Sequence, residues 1–129
     1  AIDEFRDLPN LYVAKNIPRK EFVNLFRIAD CLLGNSSAGI LEAPLLHLPV
    51  VNVGNRQIGR LHSNNVLFVS HNRKEIKDAV LKSLFDEEYK LQVAKCKNPY
   101  GNGDASNKIV EILNSITLDN NLIIKDITY

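Results

Sequence analysis

The stretch Leu32-Leu33-Gly34-Asn35-Ser36-Ser37-Ala38-Gly39-Ile40-Leu41-Glu42-Ala43-Pro44 limits the possible folds more than any other part of the chain. It reads as an apolar strand running into a turn of small residues and then into the first turn of a helix. Two glycines flank a pair of serines, so the backbone can approach a ligand closely and positive φ is allowed at two points. The hydroxyl of Ser36 or Ser37 can cap the new helix by accepting from an amide two or three residues on. The remaining amides and the positive end of the helix dipole suit an anion such as a diphosphate. Glu42 lies about a turn and a half further on, poorly placed to cap but suited to accept hydrogen bonds from a neutral diol such as a ribose. An ordinary strand–turn–helix with serine caps accounts for the same spacing. A G-x-S-x-G hydrolase elbow does not fit, because the residues flanking the serines are wrong for it, and no serine nucleophile is expected.

The rest of the chain repeats the alternation of short apolar runs and amphipathic stretches. Leu11-Tyr12-Val13-Ala14 follows Pro9-Asn10 and reads as a strand. Lys15-Asn16-Ile17-Pro18 is a loop, since a residue before proline is pushed out of the helical region, and Pro18 favours a helix start. Phe22, Leu25, Phe26 and Ala29 recur at helical spacing and predict an amphipathic helix over 19–29 leading into a strand at 31–33. Pro49–Val53 and Val66–Val69 read as further strands, the former stopped by Gly54-Asn55. A helix is expected over 73–85 with Ile76, Val80, Leu81 and Leu84 inward, capped by Asn72 with Glu75 completing a capping box. Further helices are expected over 87–95 and 105–116, the latter with Ile109, Val110, Ile112, Leu113 and Ile116 on its apolar face. A glycine-rich loop, Asn98-Pro99-Tyr100-Gly101-Asn102-Gly103-Asp104, separates them. Residues 118–129 read as a tail that fits an extra strand, a packed extension or a frayed end equally.

Strands of four or five apolar residues alternating with helices predict an α/β fold, a parallel sheet covered by helices on both faces. Ligands of such sheets bind beyond the carboxyl ends of the strands. The loops expected there are 15–18, 34–39, 54–61 and 70–72. One of them, Gly54-Asn55-Arg56-Gln57-Ile58-Gly59-Arg60, offers two arginines, a glutamine and two glycines, a set suited to phosphate or sugar hydroxyls. A solvated basic turn has the same composition. Its place after the strand next to the serine loop favours binding, because an arginine there can neutralise a diphosphate at the helix start.

Composition excludes several classes. With 129 residues, 45% hydrophobic and 24% charged, one soluble domain with its own core is expected. A net charge of +1 gives no reason to expect nucleic acid or an anionic membrane as partner. Cys31 and Cys96 lack C-x-x-C spacing and read as buried or free thiols of a reducing compartment. His47, His62 and His71 have no partner at metal-ligand spacing, and Asp30 and Asp104 read as helix-end or capping residues. Neither a metal nor a cofactor is expected. No apolar run approaches a membrane span, Ala1–Phe5 is not a signal peptide, and the cytoplasm is the expected location.

Asp30–Pro44, Pro49–Arg60 and Asn98–Gly103 together closely resemble the C-terminal part of the UDP-N-acetylglucosamine 2-epimerase family, in particular its hydrolysing branch, over about residues 10 to 116. That branch releases UDP and makes N-acetylmannosamine or a diacetamido relative for sialic-acid-type sugars. The resemblance implies a portion of the C-terminal, UDP-binding half of a GT-B fold, two Rossmann-like domains facing across a cleft. Carried over by motif, Ser36 and Ser37 would hold the diphosphate, Glu42 the ribose hydroxyls, and Arg56 would complete the site. The backbone around Ile17 would face the uracil, and Gly39, Gln57 and Arg60 are secondary candidates. UDP or a UDP-N-acetylhexosamine is the implied ligand.

The resemblance also implies what lies elsewhere. The family's N-terminal domain, with its acid/base carboxylates, has no counterpart in these residues, so the 129-residue chain alone is expected to be inactive and no catalytic residue is assigned. The UDP-binding domain is placed at 1–117, incomplete at its N-terminus. The first two strands of the family's C-terminal domain would lie between the strand at 11–14 and the one at 31–33. A homo-oligomer or a separate N-terminal half is the expected partner. A non-catalytic nucleotide-sugar-binding module or half of a split enzyme remains an alternative, and a GT-B glycosyltransferase fits the Arg-Gln-x-Gly-Arg loop less well.

Overall fold

The structure, a computed structural model, describes residues 2–119 and residue 122. Three parallel strands, β1 (Leu32–Gly34), β2 (Val50–Val53) and β3 (Val66–Val69), form a sheet in the order β1-β2-β3. Leu32 pairs with Val50, and Val50 with Val66. The central strand is covered on both faces, and Val50, Val51 and Asn52 are all buried, which is why its sequence shows no alternation of exposed polar residues; the amide of Asn52 is satisfied by donating to Gly54 O at 3.2 Å.

Successive side chains of a strand point to opposite faces. Leu32, Val50, Val66 and Phe68 face a core shared with Phe22, Phe26, Ala38, Ile40, Ala43 and Leu48. Those residues come from α2 (Arg19–Leu25) and its end, from α3 (Ala38–Leu41), and from a 3₁₀ turn (Ala43–Leu46) with the residue that closes it. Phe22 and Phe26 meet edge to face with centroids 4.9 Å apart. The opposite face is covered by α4 (Arg73–Phe85), whose buried residues are Ala79 and Ser83, and α4 in turn packs on α5 (Glu87–Ala94). Asn65 ties the amino ends together: its amide side chain donates to Leu48 O at 2.9 Å, and its backbone carbonyl accepts from Val50 N and from the Tyr89 hydroxyl, both at 2.8 Å. Burial there pushes the Tyr89 phenol far above its ordinary range.

Several expectations are corrected. Leu11–Ala14 forms no strand; all four residues are exposed and outside the sheet. Among the described residues no strand lies beside them, and an unpaired apolar run gains nothing from extended pairing. β1 is consequently an edge strand, with Leu33 52% exposed. The first amphipathic helix stops at Leu25 rather than 29. The central helix is broken at Glu42, because Pro44 lacks the N–H that would bond to Ile40 O. The 3₁₀ turn that follows ends at His47 in the left-handed conformation, φ 51°. On α4, Ile76, Val80 and Leu84 are only half-buried and Leu81 is exposed, so the inward stripe runs through the smaller Ala79 and Ser83. The final helix, α6 (Ala105–Ser115), forms as expected, but its apolar face is exposed, with Ile112 at 58% and Leu113 at 67%. A short helix, α1 (Ile2–Phe5), precedes the core. The expectations for 118–129 fall almost wholly outside the described residues.

Candidate functional site

The carboxyl ends of β1 and β2 open into the two loops singled out by their composition. In the first, the Ser36 hydroxyl accepts from Ala38 N at 3.3 Å, closing the turn into α3. Ser37 occupies the cap position without a side-chain bond, so of the two serines only Ser36 acts as a cap. The amides of Gly39, Ile40 and Leu41 bond back to the carbonyls of Ser36 and Ser37. Among the described residues the amides of Ser36 and Ser37 have no acceptor, and these N–H groups are the donors the loop can offer an anion. Of the two glycines of this loop, Gly34 takes positive φ and Gly39 does not. Gly39 is needed for closeness instead: a Cβ there would stand 2.8 Å from Val50 Cγ1. That contact sets α3 directly on β2.

Glu42 sits where α3 gives way to the 3₁₀ turn, and its Oε2 accepts from Arg19 Nη1 at 2.7 Å. The carboxylate is half-buried and the guanidinium mostly exposed. This ion pair ties the start of α2 to Glu42, and the half-buried Ile17 lies two residues before Arg19. Arg19 was not singled out from the sequence, since nothing in its helical context distinguishes it from a solvated first-turn residue. Oε1 of Glu42 has no partner among the described residues and remains an acceptor.

The second loop starts at Gly54, whose φ of 78° turns the chain off β2 and whose Cα lies under the His71 ring, where a Cβ would stand 2.8 Å from Cε1. Gln57 is 1% exposed and donates from Nε2 to Asn35 O at 2.9 Å. Arg56 and Arg60 on either side of it are exposed and form no ion pair among the described residues. The glutamine is thus turned inward and the arginines outward. The third motif is tied to the end of α3: Asn98 donates from Nδ2 to Leu41 O at 2.9 Å, one residue before Glu42. No spacing rule connects Asn98 with Leu41, so this contact could be found only in three dimensions.

The remaining titratable groups lie elsewhere. His47 Nδ1 is 3.3 Å from Val93 O, and the buried Cys96 thiol donates to Pro44 O at 3.6 Å. Burial pushes the Cys31 thiol up, despite the lowering effect of Ser83 and the Val51 backbone, which works against it as a nucleophile, and Cys96 is buried. Among the described residues no group of three His, Cys, Asp or Glu side chains could hold a metal, and no helix is long and apolar enough to cross a membrane.

A parallel α/β sheet with its polar loops gathered at the strand carboxyl ends defines a Rossmann-like, GT-B-type domain, of which this chain carries the C-terminal part. The sequence model of the UDP-N-acetylglucosamine 2-epimerase family matches residues 1–114, and the chain belongs to that family. It is 37% identical over 124 residues, 96% of its length, to a UDP-N,N'-diacetylbacillosamine 2-epimerase (hydrolyzing) of Legionella pneumophila, of which it spans 32%. It is 36% identical over 105 residues, 81% of its length, to a GDP/UDP-N,N'-diacetylbacillosamine 2-epimerase (hydrolyzing) of Campylobacter jejuni, of which it spans 27%. A crystal structure from Listeria monocytogenes, described as a UDP-N-acetylglucosamine 2-epimerase, superposes with a TM-score of 0.77 at 20% identity, covering 88% of this chain and 31% of the other. The chain therefore spans about a third or less of the relatives it matches.

Proposed function

We propose that this chain is the UDP-binding portion of a hydrolysing UDP-N-acetylglucosamine 2-epimerase, acting in nucleotide-sugar metabolism of the sialic-acid type in the cytoplasm. The observation that carries the reading is convergence. Three motifs far apart in sequence are tied together, the arginine loop to the serine loop by Gln57 on Asn35, and the glycine-rich loop to the end of α3 by Asn98 on Leu41, next to Glu42. In this reading the amides of Ser36 and Ser37 receive the diphosphate and Arg56 neutralises it, with Arg60 in reserve. Glu42 accepts from the ribose through Oε1 while Arg19 holds Oε2, and the backbone at Ile17 faces the base.

In the whole reaction the sugar loses its C2 proton and the C1–O bond breaks, so that UDP departs with the bonding electrons and leaves a 2-acetamidoglucal. Water then adds across the double bond, a hydroxyl at C1 and a proton at C2, to give the 2-epimer. The part played here is to stabilise the charge that collects on the departing diphosphate, through donors fixed before the reaction. Among the described residues no group at the site is placed as a general base, which supports turnover depending on residues outside this stretch. The uncovered apolar face of α6 supports a chain that works against a further domain.

Calorimetric titration with UDP tests this. Saturable binding is expected, weakened in Glu42→Ala and Arg56→Ala by about tenfold or more, since each loses a hydrogen bond to or from a charged group, roughly 1.5–3 kcal/mol. No release of UDP from UDP-N-acetylglucosamine is expected from the 129-residue chain. A folded chain that binds no UDP, or variants that bind like the parent, would refute the assignment.

A further inference from the structure

Gln57 has a feature that a solvent-facing ligand residue would not have. Its side chain is 1% exposed, its Nε2 donates to Asn35 O, and its buried Oε1 has no partner among the described residues. A buried acceptor left unpaired costs roughly 1–3 kcal/mol, which offsets what the bond from Nε2 contributes, so the side chain adds little net stability. The polar residue must be explained by what its single hydrogen bond does.

That bond falls on a particular peptide. The carbonyl of Asn35 and the N–H of Ser36 belong to one planar trans unit, so they point in opposite directions. Anchoring Asn35 O from one side aims the Ser36 N–H out of the other. At its own end, Gln57 lies within a compact run of turns. Ile58 N donates to Asn55 O at 3.0 Å, Arg60 N to Gln57 O at 3.3 Å, and Gly54 N to Val69 O at 2.8 Å. A rigid loop carrying Arg56 is thereby fastened to the peptide that presents the Ser36 amide.

Resting on the nucleotide reading above, we propose that Gln57 is a positioning residue that locks the Asn35–Ser36 peptide to the Arg56 loop, fixing an amide donor and a guanidinium relative to each other for the diphosphate of a nucleoside diphosphate. Its side chain does not touch the ligand. Its substitution acts through Ser36 and Arg56.

The test is Gln57→Met in the full chain, with Gln57→Leu as a second variant. Thermal unfolding should show a Tm close to the parent's, because loss of the orphaned acceptor offsets loss of the bond to Asn35 O. Trypsin cleavage after Arg56 and Arg60, both exposed, should become about tenfold faster and exchange of the Ile58 amide should rise, because the loop is released. UDP should bind about tenfold more weakly. In an Arg56→Ala background the same substitution should cost less than about threefold, since residues acting as one unit are not additive. Unchanged cleavage and exchange overturn the proposal, as does released cleavage with unchanged UDP affinity, or a full additive loss beside Arg56→Ala. Should neither variant fold, Gln57 is structural and the proposal also fails. A folded parent that binds no UDP refutes the nucleotide reading instead; the lock is then decided by cleavage and exchange alone, faster in the variants supporting it and equal overturning it.

Discussion

Gly39→Ala should destabilise this protein although it replaces glycine by the best helix former inside a helix. The added Cβ would stand 2.8 Å from Val50 Cγ1, where carbon atoms settle at about 3.5–4.0 Å, so roughly an ångström must be found. Val50 cannot supply it. It is 3% exposed and β-branched, with a stiff χ1, and it is held on the central strand by its amide bond to Asn65 O at 2.8 Å. α3 must therefore move off the sheet, and overpacking of this kind costs about 1–3 kcal/mol. Against it stands a gain of about 0.5–1 kcal/mol from removing glycine's backbone freedom. The net loss, up to about 2.5 kcal/mol and centred on about 1 kcal/mol, corresponds at its centre to a Tm lower by roughly 3–6 °C for a chain of this size. In a Val50→Ala background the obstructing methyls are gone, and Gly39→Ala should become neutral or stabilising by up to about 1 kcal/mol. Thermal and urea unfolding followed by far-UV circular dichroism on the four proteins of the cycle give the coupling directly. A higher Tm for Gly39→Ala in the parent background, or additive effects in the cycle, would show that α3 does not rest on β2 through this contact.

Two further predictions concern the start of α4. Asn72→Ala removes a side chain that accepts from Lys74 N at 2.8 Å and Glu75 N at 3.2 Å, and should lower stability by about 1 kcal/mol, seen as a lower urea midpoint at unchanged m. The Glu75 carboxylate accepts from the Ser70 hydroxyl and amide, which hold its pKa below the usual value of 4.5. Because the folded-state pKa is the lower one, this contribution is present above the unfolded value and lost as pH falls through the folded one. Glu75→Gln should therefore flatten the acid side of the Tm–pH profile while changing its slope little above neutrality. An identical acid limb in the variant would contradict this.

The elements whose signals are local were legible in the sequence. Asn72 caps α4 because an Asn side chain reaches the next two free amides whatever surrounds it. Val50–Val53 is a strand because so short an apolar run bounded by Pro49 and Gly54 has few other uses. The serine loop, the arginine loop and the glycine-rich loop at 98–104 were each recognisable from composition. Leu11–Ala14 misled because its residues have the chemistry of a strand, and strand formation depends on a partner that sequence patterning cannot supply. The face of α4 misled in a similar way: close approach to the sheet selected Ala79 and Ser83 for the interior and left larger residues at its margins.

For the site, the sequence by itself determined which residue types stand at the strand ends, since spacing along the chain places small, hydroxyl and guanidinium groups there without reference to anything distant. Only the tertiary structure decided how they work together: that Gln57 turns inward to Asn35 while Arg56 turns out, that Arg19 occupies one oxygen of Glu42, and that Asn98 closes on Leu41. Each of these joins residues more than twenty positions apart. Their pairing is fixed by how α3 and the loops pack on β2, a property of the assembled core and not of any local stretch.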